Sequence, residues 1–427
     1  MATKEHKRTT ILLMIVTILI TTTGCWSRRE TQFLTINSAL GFDRITVNGK
    51  PQILLSVLTL KPSAMAAGGG GMGGTGASRM QGTSGEVISV TGATIEDAIR
   101  NWDLRSSRQL FLAHTVVLVI GESMAKGGIA QIIDFCMRDK DVPLRAWVVT
   151  CKGSARDALQ AQPEFEPLTS TEIANIQYKD TSFVSKTARE NVFNVVYDLL
   201  TPGREVSLSY MKTFVPTEKG STMRQQGASG GTGTSGAASG SEGMAQNKTF
   251  SLSGTAAFRR DRMVGLLNEV ETQGALLIKN QARGGVISVA YNSDHANISY
   301  LFRNARTRLK PVISHEGITI EISIKGTGEM IEEQNAVLDI TRKQNLKELE
   351  RLINREVEHR CRIAVSRAKE LKSDIFGFGD LIHRTNPRAW RQIENRWGDI
   401  LPTINVKISA HFTVEQPGLI EQPIKIQ

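Results

Sequence analysis

Two glycine-rich runs have a spacing that could bind a dinucleotide. Residues 71–76 (Gly-Met-Gly-Gly-Thr-Gly) and 231–236 (Gly-Thr-Gly-Thr-Ser-Gly) both fit the pattern G-x-G-x-x-G. This pattern holds a pyrophosphate only where a strand runs directly into it and a helix starts from it. More glycine and then strand-like sequence follow the first run, and the second lies in low-complexity sequence. Neither run therefore predicts a cofactor site, and we expect no cofactor.

Catalytic and metal-binding patterns are equally weak. Residues 227–231 (Gly-Ala-Ser-Gly-Gly) fit the nucleophile elbow, but they lie in the same low-complexity run and not at a strand-to-helix turn. The seven His residues are scattered singly, with no pair at i,i+4 and no Cys or carboxylate at metal-ligand spacing. The sequence thus offers no catalytic residue and no metal ligands, which favours a binding or assembly role over an enzyme.

The densest basic run comprises Arg303, Arg306, Arg308 and Lys310. On a strand, residues 306, 308 and 310 share one face and could meet phosphate or lipid headgroups. Aromatic residues make up only 6% of the chain and provide no stacking platform there, so we expect no nucleic acid binding. A solvated strand face is the default interpretation, and a membrane or partner contact is the alternative.

Length and composition indicate a folded protein of several domains. The chain has 427 residues, a formal net charge of +10 and 40% apolar residues, which predicts two or three domains. Its one strongly apolar run, residues 11–20, is far shorter than the roughly 20 residues of a membrane-spanning helix. A polytopic membrane protein is therefore excluded.

The first half of the chain alternates between strand and helix patterns. Apolar runs rich in β-branched residues predict strands at 52–60, 115–120 and 146–151, with helices at 95–104 and 124–137 between them. Strands buried on both faces with intervening helices indicate a mixed α/β layer. The last helix and strand carry Cys136 and Cys151, which could pair, although buried free thiols are the favoured interpretation.

The last third predicts a strand, a long helix and a returning strand. Isoleucines alternate with polar residues over 318–324, and a second alternation covers 406–414. Between them, one apolar face predicts a long helix over 341–372. Two i,i+4 ion pairs, from Glu356 to Arg360 and from Glu358 to Arg362, are expected on the solvated sides of this helix.

These patterns predict a fold of the α/β and α+β classes, built from three mixed α/β modules. The last module is predicted to be an antiparallel sheet packed by a long helix. The expected boundaries are 25–163 for an N-terminal α/β module with a Gly-rich loop at 63–85, 164–290 for a middle α/β module with a Gly/Ser-rich loop at 220–247, and 291–427 for a C-terminal α+β module.

The N-terminal segment has the order of a secretory signal. Basic residues precede the apolar run at 11–20, and small residues then lead to Gly24 and Cys25. This arrangement resembles the bacterial lipobox, with Thr22 in place of the usual Leu. The resemblance implies that residues 1–24 are a lipoprotein signal peptide and that Cys25 becomes the acylated first residue of the mature chain.

Three motifs in this order resemble the Ger(x)C family, the C-subunit lipoproteins of bacterial spore nutrient germinant receptors. Residues 24–30 (Gly-Cys-Trp-Ser-Arg-Arg-Glu) are similar to the family's Gly-Cys-Trp-Asp-Arg-Arg-Glu start, with Ser27 in place of Asp. Residues 269–274 (Glu-Val-Glu-Thr-Gln-Gly) and 374–379 (Asp-Ile-Phe-Gly-Phe-Gly) extend the resemblance over nearly the whole mature chain. The motif residues, which we expect to be mainly structural, are Trp26, Arg28, Arg29, Glu30, Glu271, Gly274, Phe376, Gly377, Phe378, Gly379, Arg384, Trp390 and Trp397.

The aromatic residues of the third motif predict a local structure. Phe376 and Phe378, set around glycines, indicate an aromatic-anchored turn that ends the long helix. Trp390 and Trp397 are expected on the next short helix, packed over this turn. A role in the fold is favoured over a ligand-binding role, because large aromatic residues are most often buried in cores.

The resemblance implies a non-enzymatic subunit that joins two integral-membrane receptor subunits in the spore inner membrane. Acylated Cys25 would bind it to membrane lipid on the outer face. In this family the germinant pocket is generally placed in the transporter-like membrane subunit, so direct nutrient binding by this chain is not expected. The alternative function is a solute-binding lipoprotein of a transporter, with two similar lobes around a cleft. A wall-modifying enzyme would need a clustered acid pair or a metal site, which this sequence lacks.

Overall fold

The computed structural model describes residues 33–60, 85–216, 248–291, 296–315, 317–334 and 342–416, together with residue 6 and residues 10–15. Cys25, the motif residues 26–30 and the two G-x-G-x-x-G matches lie outside the described residues, as do most of the predicted signal peptide and the Gly-rich loops. Within the described residues, no helix is both long and apolar enough to span a membrane.

Strands and helices alternate through the first two thirds of the chain. The strands there are β1 (Leu34–Val47), β2 (Lys50–Leu60), β3 (Gly85–Gly92), β4 (Gln109–Phe111), β5 (Val117–Gly121), β6 (Trp147–Cys151), β7 (Ser207–Phe214), β8 (Thr249–Arg259) and β9 (Arg262–Leu267). The helices there are α1 (Ile95–Asp103), α2 (Glu122–Gly127), α3 (Ala130–Arg138), α4 (Ala155–Gln160), α5 (Thr169–Phe183) and α6 (Val192–Leu200).

The last third contains the remaining elements. They are α7 (Glu269–Ile278), β10 (Gly284–Tyr291), β11 (Ala296–Ser314), β12 (Gly317–Glu333), α8 (Lys343–Glu370), α9 (Phe378–Thr385), α10 (Pro387–Ile393), α11 (Trp397–Ile400) and β13 (Asn405–Gln416). The predicted strands at 52–60, 115–120, 146–151 and 406–414, and the helices at 95–104 and 341–372, are confirmed to within a few residues. The strand predicted at 318–324 is also confirmed, but β12 continues to Glu333.

The first nine strands form one mixed sheet in the order β3-β2-β1-β5-β6-β7-β8-β9, with β4 beside β1. The pairs within β1-β5-β6-β7 are parallel, and both edges of the sheet are antiparallel. Helices cover the two faces, so the side chains of β5 point alternately into two cores: Leu118 and Ile120 pack with α1 and α3, and Val117 and Val119 pack with α4. This is the predicted α/β layer. It spans the expected boundary at residue 163, and the module boundaries stay predictions.

The predicted single helix over 124–137 is wrong, because the structure divides it into α2 and α3. Gly128 has a φ of +121°, a conformation that a helix cannot contain, so α2 ends at Gly127 and α3 begins at Ala130. An added Cβ at Gly128 would also meet the Asp261 carboxylate of the β8–β9 turn. The break thus lets the chain pass close to that turn. Cys136 and Cys151 are both buried free thiols.

The second sheet has the order β10-β11-β12-β13 and packs on α7 and α8. The first three strands are antiparallel, but β13 runs parallel to β12. The cause is α8, whose 28 residues span about 42 Å and return the chain to the end where β12 began. Ile320, Ile322 and Ile324 point into the core beneath α8. The predicted helix-packed sheet is therefore confirmed, with one parallel strand in an otherwise antiparallel sheet.

Candidate functional site

The segment after α8 folds into a turn around the Phe-Gly-Phe-Gly motif. Lys372 closes the helix with a left-handed φ of +51°. The Phe376 and Phe378 rings then stack, with centroids 5.0 Å apart. Gly377 has a φ of +72° and forms the N-cap of α9. The sequence prediction of an aromatic turn that ends the long helix matches this geometry.

Asp374 lies at the centre of the turn and is completely buried. Its Oδ1 accepts a hydrogen bond from the Phe378 N–H (3.0 Å), and its Oδ2 accepts bonds from the Gly379 N–H (2.7 Å) and the Trp397 Nε1–H (2.9 Å). Burial raises the pKa of Asp374 to about 6, although these hydrogen bonds act in the opposite direction. The carboxylate therefore joins the start of α9 to α11.

Gly379 allows two tryptophans and a distant turn to approach α9 closely. A Cβ at this position would lie 2.7 Å from the Gly203 Cα and 2.8 Å from ring atoms of Trp390 and Trp397. The two indole rings meet edge to face, with centroids 5.6 Å apart. Both tryptophans thus pack over the turn as predicted, but they lie on two helices, α10 and α11, and not on one. The cause is a short 3₁₀ turn at 394–396 that separates these helices.

Charged groups extend the turn toward the large sheet. The Arg204 guanidinium, just after α6, donates from Nε to Asp380 Oδ2 (2.9 Å), and the motif residue Arg384 pairs with the same carboxylate at 3.2 Å. The Glu205 N–H donates to the Asp374 carbonyl at 3.0 Å. Burial raises the pKa of Glu205 to about 7. These contacts connect the segment between α6 and β7 with α9.

We define the Asp374 junction as residues 203–205, Asp374, residues 376–380, Arg384, Trp390 and Trp397. It connects the nine-stranded sheet with the helices that pack on the four-stranded sheet. The Ser373 hydroxyl adds a further link, because it donates to the carbonyl of Phe258 in β8. Hydrogen bonds and close glycine contacts of this kind fix the relative position of two packed units.

The second motif, residues 269–274, forms a tight crossing of α7 and α8. Asn268 and Glu271 make a capping box, in which each side chain accepts from the other's backbone N–H at 2.9 and 2.8 Å. Gly274 lies against the backbone of Arg360 so closely that no Cβ would fit without movement of a helix. Glu271 and Gly274 therefore have structural positions at the start of α7 and at its contact with α8.

The predicted position of Arg360 on a solvated helix side is wrong. Its side chain is buried, pairs with Glu356 at 2.7 Å and donates to the Gln273 side-chain carbonyl. The cause is the Gly274 contact, which brings α7 onto this side of α8. The other predicted pair, Glu358 with Arg362, lies at 3.9 Å, and Arg362 is 63% exposed.

The motif residues therefore fall into three groups. The structure brings together those of 376–379 with Arg384, Trp390 and Trp397, and it places Glu271 and Gly274 separately at the crossing of α7 and α8. Cys25, Trp26, Arg28, Arg29 and Glu30 lie outside the described residues. Within those residues, no group of three or more His, Cys, Asp or Glu side chains could hold a metal ion.

Sequence reasoning missed several residues of the Asp374 junction. Asp374 begins the third motif but was not among the expected site residues. Asp380 precedes Arg384 by four residues, and this i,i+4 spacing could have indicated their ion pair. Gly203, Arg204 and Glu205 carry no such local signal, because their partners lie about 170 residues further along the chain.

Comparisons with known proteins identify relatives over most of the chain. The family model "Spore germination protein N-terminal domain" matches residues 27–213, and "Spore germination B3/ GerAC like, C-terminal" matches residues 253–418. The fold and motifs thus define a spore germination protein of the germinant receptor C-subunit type. The chain belongs to the GerAC family, which confirms the resemblance to Ger(x)C proteins.

Individual relatives are similar over nearly their whole length. Spore germination protein YndF of Bacillus subtilis (strain 168) is 24% identical over 99% of this chain and 100% of its own. Spore germination protein KC of the same strain is also 24% identical, over 97% of each chain. The crystal structure of the GerBC protein superposes with a TM-score of 0.52 at 17% identity, and covers 89% of this chain and 98% of GerBC. This last likeness shows the shared fold.

Proposed function

We propose that this chain is the lipid-anchored, non-catalytic C subunit of a spore nutrient germinant receptor. It is held on the outer face of the spore inner membrane and binds two integral-membrane subunits of the receptor. The observation that carries this proposal is the match of both family models, in order, over residues 27–213 and 253–418. In this proposal the chain is required for nutrient-triggered germination because it helps to assemble the receptor, and it does not catalyse a reaction.

The anchor is acylated Cys25. The small residues that lead to Gly24 and Cys25 follow an apolar run in the order of a lipoprotein signal, and the first family model begins only two residues after this cysteine. Two acyl chains, at about 0.8 kcal/mol for each buried methylene, hold a protein on a membrane stably, whereas one chain gives only marginal binding.

An exposed apolar stripe on α6 supports the assembly role. Phe193, Tyr197 and Leu200 follow one another at i, i+4 and i+7, so they share one face of the helix. Their exposed fractions are 60%, 49% and 77%. Contiguous apolar groups left open to solvent are typical of contact surfaces between proteins. We assign this stripe to a contact with the integral-membrane subunits.

Lipidation is tested with Cys25→Ala in spores, with palmitate labelling and nutrient-triggered germination as readouts. We expect loss of the label and a strongly impaired response, because the unanchored chain no longer stays beside its partners. Thr22→Leu is the matched control, since it brings the signal closer to the usual lipobox and should keep both label and response. A normal germination response from the unlabelled Cys25→Ala chain would refute the anchoring proposal.

Assembly is tested by detergent extraction of spore inner membranes and pull-down of a tagged chain. We expect recovery of two polytopic subunits, one of them transporter-like. Phe193→Ser combined with Leu200→Ser should reduce this recovery, whereas Phe165→Ser, which changes an 89% exposed side chain outside the stripe, should not. Equal recovery by the stripe variant and the control would remove the stripe from the contact surface.

The same pull-down tests the alternative of a solute-binding lipoprotein. That function would bring down an ATPase with its permease. It also calls for two similar lobes around a cleft, whereas the described residues form sheets of nine and four strands. The unequal sheets favour the receptor subunit.

A further inference from the structure

A basic cleft of about 880 Å³ lies where the turn after α7 meets β11 and β12 of the four-stranded sheet. We call it the Arg306 cleft. It is lined by Asn280, Arg283, Asn304, Ala305, Arg306, Thr307, Arg308, Ser323 and Lys325. Four of these residues are cationic and none is acidic. This composition concentrates positive charge in a concave surface, where low-dielectric walls strengthen the local field.

A β-bulge shapes the cleft and places two cations opposite each other. Arg303 pairs with Thr327 and Arg306 with Lys325, so β11 contains one residue more than β12 between the two pairs. Like charges directly opposite in an antiparallel pair are destabilising. The fold therefore holds Arg306 and Lys325 together at a cost in stability, which a bound anion would offset.

The neighbouring cations on the same sheet face are neutralised, but those of the cleft are not. Arg303 pairs with Glu329 at 2.6 Å, and Lys310 pairs with Glu321 at 3.3 Å. Among the residues that the structure describes, Arg283, Arg306, Arg308 and Lys325 have no acidic partner within 4.0 Å. The uncompensated charge is thus confined to the cleft.

Hydrogen bonds fix the wall of the cleft before any ligand binds. Asn280, in the turn after α7, has a left-handed φ of +59° and accepts the Thr307 N–H on its side-chain oxygen at 3.0 Å. The Thr307 hydroxyl donates to the Leu277 carbonyl at 2.6 Å, and the Asn304 N–H donates to the Arg283 carbonyl at 3.1 Å. The turn and the bulge are therefore joined, and a preorganised site loses less entropy on binding.

We propose that the Arg306 cleft binds a phosphate group. Guanidinium groups hold phosphate oxygens through paired N–H donors, and the cleft presents three of them beside one ammonium. On a chain anchored at Cys25, which is the function proposed above, the nearest abundant phosphates are the headgroups of anionic phospholipids. A soluble phosphate compound has the same chemistry, and the experiment separates these two sources.

The test measures binding of the purified full chain to nanodiscs of phosphatidylcholine, with and without phosphatidylglycerol. Binding to neutral nanodiscs reports the N-terminal anchor, and the gain on anionic nanodiscs reports headgroup binding. Arg306→Ser combined with Arg308→Ser should reduce that gain on the order of 25-fold, about fivefold for each basic residue. The matched control, Arg303→Ser with Lys310→Ser, removes the same charge from the same face and should retain most of the gain.

A second arm titrates inorganic phosphate into the full chain in neutral detergent by calorimetry. A gain on anionic nanodiscs that depends on Arg306 and Arg308 supports the site with lipid as the source. Saturable binding of inorganic phosphate with the same dependence, and no nanodisc gain, supports the site with a soluble source. Equal losses in the two double variants, or no dependence on the cleft in either arm, would overturn the proposal. Failure of the anchor would instead abolish binding to neutral nanodiscs only.

Folding of the variants provides an independent readout. Arg306 and Arg308 are exposed, so their replacement by serine leaves the core intact. Without ligand, Arg306→Ser should raise the urea midpoint, because it removes the repulsion from Lys325. A lower midpoint would show that Arg306 stabilises the unliganded fold, contrary to the argument that its charge is held for a ligand.

Discussion

Gly203 provides the sharpest test of the Asp374 junction. It has a φ of +76°, and a Cβ at this position would lie 2.6 Å from the Gly379 Cα and from the Asp380 N. The Asp380 N–H also donates to the Gly203 carbonyl at 3.1 Å. Because the obstructing atoms belong to the backbone of α9, no side-chain rotation relieves the contact. In Gly203→Ala the turn after α6 has to move away from α9.

The cost of Gly203→Ala has two parts that a second glycine separates. A left-handed conformation costs alanine about 1–2 kcal/mol, and overpacking a close contact costs about a further 1–3 kcal/mol. Gly153 has nearly the same φ, +74°, but nothing lies within 4 Å of an added Cβ. Gly153→Ala should therefore show the conformational cost alone. The difference between the two variants measures the junction contact.

The assay is urea unfolding of the wild type and both variants, followed by tryptophan fluorescence. We expect Gly203→Ala to lose about 2–5 kcal/mol of unfolding free energy and Gly153→Ala about 1–2 kcal/mol. Trp390 and Trp397 are buried in the junction, so two of the chain's five tryptophans respond to its opening. If both variants lose the same free energy, the close approach of Gly203 to α9 does not contribute to stability, and our account of the junction is wrong.

Three further outcomes are expected from the same unfolding assay. Gly274→Ala should lose about 1–3 kcal/mol, because its Cβ meets the Arg360 backbone and forces α7 away from α8; an unchanged midpoint would contradict this tight crossing. Trp397→Phe should lose about 1.5–3 kcal/mol of unfolding free energy, since it keeps an aromatic ring but removes the hydrogen bond to Asp374. A loss no larger than that expected from burying a smaller ring would show that this hydrogen bond is not stabilising. In the folded chain the pKa values of Glu205 and Asp374 are raised to about 7 and about 6, from 4.5 and 3.8 for the unfolded carboxyls. Because the folded chain then binds more protons than the unfolded chain, the free energy of unfolding should fall as pH rises from about 4 to 7. This fall should flatten in Glu205→Gln and Asp374→Asn, and a rise over that interval would reverse the assigned sign.

Local patterns predicted five of the strands and two of the helices, because each of these elements depends on neighbours in sequence. The isoleucine alternation places β12 with one face in the core, and the helical spacing of apolar residues defines α8 to within about two residues. The aromatic turn at Phe376 and Phe378 was predictable for the same reason, since a stacked pair around one glycine is a local structure. Such patterns report the burial of a face, and this is what the structure shows.

Contacts between distant segments were not predictable from these patterns. The approach of Gly203 to Gly379 joins residues 176 positions apart, and neither glycine signals its partner. Arg360 was assigned to a solvated face because its i,i+4 partner is acidic, but the position of α7 across α8 decides its burial. The parallel direction of β13 likewise follows from the length and path of α8, and not from the alternation within the strand itself.

The Asp374 junction lies between the two surfaces for which binding functions are proposed above. Arg204 pairs with Asp380 of α9, and its guanidinium also lies 5.3 Å from the ring centroid of Tyr197 in the exposed stripe of α6. The Arg306 cleft lies on the other sheet, whose covering helices include α9. The Asp374 junction is one of the contacts that fix the relative position of the two surfaces; the buried Lys279–Glu190 pair and the hydrogen bond from the Ser185 hydroxyl to the Gly284 carbonyl are others. The proposed partner contact on α6 and the proposed phosphate site are therefore both connected to the junction, and the Phe-Gly-Phe-Gly motif supplies several of the residues that form it.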